Sequence, residues 1–200
     1  FFKQKTAYEI RLSLVGSEMC IRDSKIPIKL DSYLELLNAD KTISGIKVKA
    51  FAVPGKVALW LEDANKGPNF GSVDEDTIAL EICNEETGAS FFYIPACAYV
   101  PDWLKEKLNN TNLLFFDGTL WTDDEMIKQK VGIKTGKRMG HISMSGEEGS
   151  LNIFKNVNIN RKIFIHINTT NPALLNNSSE RKILEDAGWE VAYDTMEIKI

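Results

Sequence analysis

From Ile46 to Val53, Ile46, Val48, Ala50 and Ala52 alternate with Lys47, Lys49, Phe51 and Val53, so the run has two distinct faces and the polar positions are Lys47 and Lys49. This period of two predicts a half-buried strand. Pro54-Gly55 closes it, and KVALWLE then reads as a second strand, so the region predicts a hairpin-like pair. Ahead of it, Ile26 to Asn38 is ambiguous and reads as a strand-like piece followed by a short helix. Asn65 to Asp76 is turn-rich. Thr77 to Cys83 and Ser90 to Ile94 form a further apolar pair joined by NEETG, in which Gly88 suits a hairpin loop.

The rhythm then changes to helix and strand in turn. PDWLKEKLNN predicts a short amphipathic helix with Trp103, Leu104 and Leu108 inward, and NLLFFDG a buried strand with a polar tip. WTDDEMIKQ predicts a helix opened by a capping box of Thr122 and Glu125, with acids suited to its first turn. RKIFIHINTTNP repeats the strand and polar tip. SSERKILEDAGW predicts a helix starting near Ser178 or Ser179 and stopped by Gly188, and EVAYD and MEIKI predict closing strands. Sheet pairs followed by alternating helices and strands argue for a layered α/β architecture with a mixed sheet.

Composition changes this picture little. The chain has 200 residues, of which 44% are apolar and 26% charged, as in ordinary globular proteins. A net charge of −4 gives no electrostatic basis for nucleic-acid binding. No apolar run reaches the roughly 18 residues of a membrane span, and the expected location is the cytoplasm. The three cysteines, Cys20, Cys83 and Cys97, form no CxxC pair, and Cys83 and Cys97 read as small buried residues. The four tryptophans, Trp60, Trp103, Trp121 and Trp189, are assigned mainly to the core. The opening FFKQKTAYEIRLSLVGSEMCIRDS has neither an initiator Met nor a signal-peptide apolar region, and it resembles translated sequencing-adapter read-through. The expected organisation is therefore a non-native segment over residues 1–24 and a truncated domain over 25–200.

Only two histidines are present, and both stand where chemistry can be presented. His166 follows RKIFI and precedes a polar loop, and Asp117 ends NLLFF beside Gly118, so each sits beyond the carboxyl end of a buried strand, where α/β sites lie. His141 lies in the Gly-flanked stretch GKRMGHISMSG. One Asp and two His are donor types of a zinc or non-haem iron site. The plainer reading stays open, since a strand-end His can bond a carbonyl, an Asp-Gly can be only a turn, and the spacing carries no metal signature. Lys134, Lys137 and Arg138 among glycines could clamp a carboxylate or phosphate, or form a solvated loop. Asp123, Asp124 and Glu125 read as capping residues.

VPGKVALWLE, YIPACA, LLFFDGTLWTDDEM, KTGKRMGHISMSG, IFIHINTTNP and AGWEVAYDTMEI occur in that order, and together they resemble the C-terminal part of the pyrroloquinoline quinone (PQQ) biosynthesis protein B family. The resemblance implies the metallo-β-lactamase fold, an αββα sandwich of which this chain carries the C-terminal part only. It implies that Asp117 corresponds to the Asp of the fourth metal motif of that fold and His166 to the His of the fifth, with His141 lining the same cleft as a ligand or its neighbour. The third-motif His would fall near Gly55-Lys56 and is absent, which argues against a two-zinc hydrolase site. Thr169 stands where the family usually has Asn, and Ser143 where it usually has Pro. The family's His/Asp-rich motif, which supplies most metal ligands, and its cysteine-containing zinc segment have no counterpart before Lys25.

The implied activity of the intact protein is metal-dependent hydroxylation of the tyrosine ring of a glutamate-tyrosine-derived precursor, with iron, or alternatively zinc, as the cofactor. Most of the ligands are expected in the missing N-terminal half, so the fragment itself is expected to be inactive. Lys137, Arg138, Asn168 and Asn171 are expected on the substrate side, and other PQQ biosynthesis proteins are possible partners. The alternative is a carrier that holds PQQ or its precursor and assists its transport to the periplasm.

Overall fold

The structure, a computed structural model, describes residues 26–56 and 76–200. The readings made for residues 1–24, for KVALWLE, for most of the turn-rich run and for Cys20 and Trp60 lie outside the described residues. Among the described residues the strands form one seven-stranded sheet in sequential order. They are β1 (Tyr33–Leu37), β2 (Ile43–Ala52), β3 (Ile78–Asn84), β4 (Ser90–Ile94), β5 (Thr111–Asp117), β6 (Ile159–Ile165) and β7 (Trp189–Val191). The first four pair antiparallel and the rest pair parallel, so the sheet is mixed, as the alternating elements predict.

The loops follow from that change of direction. An antiparallel pair needs only a turn, and Gly88, at φ +71, supplies it between β3 and β4. Parallel pairs need crossovers. Between β4 and β5 runs α1 (Asp102–Leu108); between β5 and β6 run the single turns α2 (Glu125–Lys128), α3 (Gly136–Met139) and α4 (Ser150–Ile153); before β7 runs α5 (Ser179–Asp186). Ser178 caps α5 as expected, its hydroxyl accepting from the Arg181 amide at 2.9 Å.

The helices cover one face of the sheet. Phe51, Phe92, Ile94, Leu114, Phe116, Phe164 and Trp189 meet Leu104 and Leu108 of α1, Leu184 of α5 and Phe154 in one buried cluster. Full burial of a side chain such as Leu104 contributes about 1.5–3 kcal/mol. Aromatic geometry locks the cluster: Phe164 stacks on Trp189 at 3.9 Å, and Phe116 meets Phe154 edge-on at 4.9 Å. Leu113, Leu114 and Phe116 are all buried, which identifies β5 as a central strand covered on both faces.

Several expectations are corrected. Tyr33–Leu37 is a strand and not a helix, because Tyr33 and Leu34 pair with Lys49 and Val48 of β2. Trp103 is 46% exposed, since Leu104 and Leu108 fill the inward stripe of α1 and Trp103 sits about 100° round the helix from Leu104. Met196 to Ile200, expected as a strand, forms none, and the strand expected over EVAYD is limited to Trp189–Val191. Cys97 is buried, but Cys83 is only half-buried; both are free. Trp189 is in the core, and Trp121 packs against it while partly exposed. No helix of the described residues is long and apolar enough to cross a membrane.

A polar ladder crosses the sheet toward its β1 edge. Tyr33 donates to Glu81 Oε1 at 2.7 Å, and the Lys49 ammonium lies 2.8 Å from Glu81 Oε2, with Lys107 of α1 at 3.6 Å. Burial pushes the Glu81 carboxyl up, but the Lys49 and Tyr33 hydrogen bonds outweigh it and hold the group below the ordinary range. A lowered folded-state pKa means stabilisation that is present above the unfolded value, about 4.3, and is lost as pH falls through the folded value. Glu81→Gln is therefore expected to cost about 1–3 kcal/mol near neutral pH and progressively less in acid. Denaturant unfolding at about pH 7 and about pH 3 checks this, and a pH-independent difference would contradict it.

Candidate metal centre

Asp117 is the last residue of β5 and is fully buried. Among the described residues its carboxylate meets only donors. Oδ2 accepts from the Cys97 amide at 3.1 Å and lies 2.8 Å from His141 Nδ1, while Oδ1 accepts from the Thr119 amide at 3.1 Å and the Thr119 hydroxyl at 2.6 Å. Burial alone would push the carboxyl up. The contacts with His141 and His166, then with Thr119, outweigh it and hold the group below its ordinary range. The neighbouring Gly118 is required sterically: a Cβ there would stand 2.7 Å from Met144 Cε and 2.9 Å from Phe164 Cβ. The backbone approach expected at this glycine is made by β6, Gly118 donating to the Ile165 carbonyl at 2.9 Å.

His166 is the first residue beyond β6, and Asp117 pairs with Ile165, so the adjacent strand ends bring the two together. Its φ of +54 lies in the left-handed region, where a residue other than Gly or Asn carries strain. The ring is about half exposed, with Nδ1 2.8 Å from Thr119 Oγ1 and 3.9 Å from Asp117 Oδ1. The Asp117 carboxylate raises its pKa against the opposing effect of burial.

His141 arrives from the β5–β6 crossover, directly after α3. Gly140 ends that turn at φ +85, and a Cβ on it would stand 2.7 Å from Lys56 Cβ, so glycine is needed there both for conformation and for space. The segment is tied down by the amide of Ile142, which donates to the Cys97 carbonyl at 2.7 Å, and by the His141 amide, which donates to Gly136 at 2.9 Å. The Cys97 backbone thus holds Asp117 through its N–H and the His141 segment through its C=O. Burial, then the charge of Asp117, push the Cys97 thiol far up, so it stays protonated.

The three expected donors converge. The two imidazoles stack with centroids 5.1 Å apart, and one donor atom from each of Asp117, His141 and His166 lies within 4.8 Å of the other two. A carboxylate and two imidazoles are donor types that fit a zinc or iron ion. The ring contacts turn both Nδ1 atoms toward Asp117 and Thr119, and the Nε2 atoms have no hydrogen-bond partner among the described residues.

The remaining expected site residues are distributed differently. Lys137 is engaged with Glu148 at 2.6 Å on an open groove of about 990 Å³ that also holds Tyr99, Asp123 and Ser143. Arg138 is half-buried on α3, its amide donating to the Thr135 cap at 3.2 Å. Asn168 sits beside the centre, its amide N–H bonding the Thr119 carbonyl at 3.0 Å and its side chain donating to Thr170 at 2.7 Å. Asn171 is buried and is spent on the fold: it donates to the Gly118 carbonyl and caps the 3₁₀ turn Pro172–Leu174.

The acidic run also behaves differently from the capping expectation. Glu125 is buried, and no capping box forms; its carboxylate accepts from the Trp121 amide at 2.7 Å and from the Thr170 hydroxyl, clamping the loop that follows His166. Asp123 accepts from the Lys137 amide at 2.7 Å, and Asp124 pairs with Lys128 at 2.9 Å. Thr119 is the residue of this candidate site that residue patterns miss, and the clamp made by Glu125 is hidden behind its apparent capping role. A signal for Thr119 exists in Asp-Gly-Thr, since an Asp side chain often accepts the amide two residues on.

A β-lactamase superfamily domain model matches residues 21–167. Coenzyme PQQ synthesis protein B of Bradyrhizobium diazoefficiens is 49% identical over 173 residues, spanning 86% of this chain and 55% of that protein. The protein of the same name from Rhodopseudomonas palustris is 45% identical over 177 residues, spanning 88% of this chain and 57% of the other. The chain thus spans little more than half the length of these relatives. The crystal structure of Zn(2+)-bound PqqB from Methylobacterium extorquens superposes with a TM-score of 0.80 at 38% identity, covering 96% of this chain and 62% of that one. The chain belongs to the β-lactamase superfamily, and within it the proteins it is similar to are the coenzyme PQQ synthesis proteins B.

Proposed function

We propose that Asp117, His141 and His166 form part of a metal centre, and that the protein of which such a chain is a part serves PQQ biosynthesis. The observation that carries this is the convergence of the three donors, from two strand ends and a distant crossover, to within 4.8 Å. The similarity to proteins named for coenzyme PQQ synthesis supports the pathway. We read the activity as metal-dependent hydroxylation of the tyrosine ring of a glutamate-tyrosine-derived precursor, with iron as the working ion and zinc as the alternative. When bound, the ion supplies Lewis acidity and open coordination positions. This chain's part is to hold the two imidazoles against a buried carboxylate, with both Nε2 atoms unpartnered among the described residues. Arg138, Asn168 and the groove around Lys137 face the precursor in this reading, and Asn171 supports them from behind.

Calorimetric titration of the chain with Zn²⁺ and, anaerobically, with Fe²⁺ tests the centre. Weak one-site binding is expected, with His141→Asn or His166→Asn each lowering affinity by at least about tenfold. Binding unchanged in both variants would remove the centre from these residues. For a full-length relative, precursor-dependent oxygen uptake supports the hydroxylase; PQQ binding that a chelator leaves unchanged, without uptake, would move the reading to a carrier.

A further inference from the structure

Thr119 lies at the middle of the cluster, 7% exposed, and its hydroxyl oxygen touches more partners than it has protons to give. Oγ1 is 2.6 Å from Asp117 Oδ1, 2.8 Å from His166 Nδ1, 3.1 Å from His141 Nδ1 and 3.1 Å from the His166 carbonyl. A hydroxyl donates once and otherwise accepts, and an ionised carboxylate accepts only. The shortest contact, to the charged acceptor, therefore takes the proton, in preference to the neutral carbonyl at 3.1 Å. Toward His166 Nδ1 the oxygen can then only accept, which requires an N–H at that position. His141 Nδ1 faces Asp117 Oδ2 at 2.8 Å, another acceptor, and must likewise carry hydrogen. A neutral imidazole has one N–H, so both Nε2 atoms present lone pairs.

We infer that Thr119 is a positioning residue: its hydroxyl, committed to Asp117, holds His166 as the Nδ1–H tautomer and leaves Nε2 as the ligating nitrogen. The tautomer assignment stands on the contacts alone; its consequence for ligation rests on the metal-centre reading. The two histidines depend on Thr119 unequally. His141 keeps Asp117 as an acceptor if the hydroxyl is removed, whereas the acceptor left to His166 Nδ1 among the described residues is Asp117 Oδ1 at 3.9 Å, beyond hydrogen-bond range.

Nitrogen-15 NMR tests this directly, because the chain has two histidines and so four ring-nitrogen signals. At mildly alkaline pH without metal, both rings of the wild-type chain are expected to show protonated Nδ1 and unprotonated Nε2, with His141→Asn assigning the signals. In Thr119→Val, His166 alone is expected to move to the Nε2–H-dominated mixture of an unconstrained imidazole, and Thr119→Ser to restore the wild-type pattern. Nε2–H at His166 in the wild type, or no change at His166 in a folded Thr119→Val, would overturn the inference. Should Thr119→Val fail to fold, the wild-type spectrum still decides. Zn²⁺ affinity measured on the same samples is expected to fall about 10- to 100-fold in Thr119→Val. Expected tautomers in a chain that binds no Zn²⁺ would uphold the role of Thr119 and refute the metal centre instead.

Discussion

Asp117→Asn is expected to destabilise the chain by about 3–5 kcal/mol near neutral pH and to abolish detectable metal binding, although the side chain keeps its shape. Among the described residues every hydrogen-bond partner of the carboxylate is a donor: the amides of Cys97 and Thr119, the Thr119 hydroxyl and His141 Nδ1. An asparagine must turn its NH₂ toward one pair of them, which leaves donors facing a donor in a fully buried site. No cavity forms, so the loss reports the charge and its hydrogen bonds. The pH dependence has a definite sign. The Asp117 carboxyl is held low in the fold, so its contribution is complete above the unfolded value of about 3.9 and disappears as pH falls through the folded value. The gap between wild type and variant should close in acid. Denaturant titrations at about pH 7 and about pH 3 check both parts, and a variant within about 0.5 kcal/mol of wild type at neutral pH would show that the carboxylate does not hold the centre.

Phe116→Ala is expected to cost about 3–5 kcal/mol through a cavity in the middle of the core. Phe116 is fully buried and meets two rings, Phe154 at 4.9 Å and Trp189 at 6.3 Å. Phe115, the preceding residue, points to the opposite face, where it is half-buried against Phe91 and Tyr93. Phe115→Ala should therefore cost markedly less. Equilibrium unfolding of the two variants separates the faces, and equal losses would show that the second face is as tightly covered as the first.

Much of this architecture could be read from residue patterns wherever local chemistry and tertiary packing agree. Gly88 marks the β3–β4 turn, the apolar runs ending at Asp117 and Ile165 mark the buried parallel strands, and Ser178 with Gly188 brackets α5. Reading fails where a partner overrides local preference. Tyr33–Leu37 is a strand because β2 offers it a ladder, and Glu125 leaves the capping role because Trp121 and Thr170 present better donors across space. Asp117 and His166 are legible as site residues from their place at the ends of buried strands. His141 has no such periodic signal, and its convergence on them was implied by the family resemblance. Thr119 stayed hidden because a hydroxyl announces nothing in a sequence until its four neighbours are known.

The pairing of Asp117 with Ile165 also sets the order in which the donors can part. Asp117 stands on the last rung of the β5–β6 ladder and His166 directly follows its partner Ile165, so the inter-strand spacing of about 4.8 Å ties the two backbones together through the sheet. The third hangs from a long excursion moored at the Cys97 carbonyl and Gly136. Local opening of that excursion would free His141 while Asp117 and His166 stay tied through the sheet, so in the proposed centre His141 is the donor expected to part first.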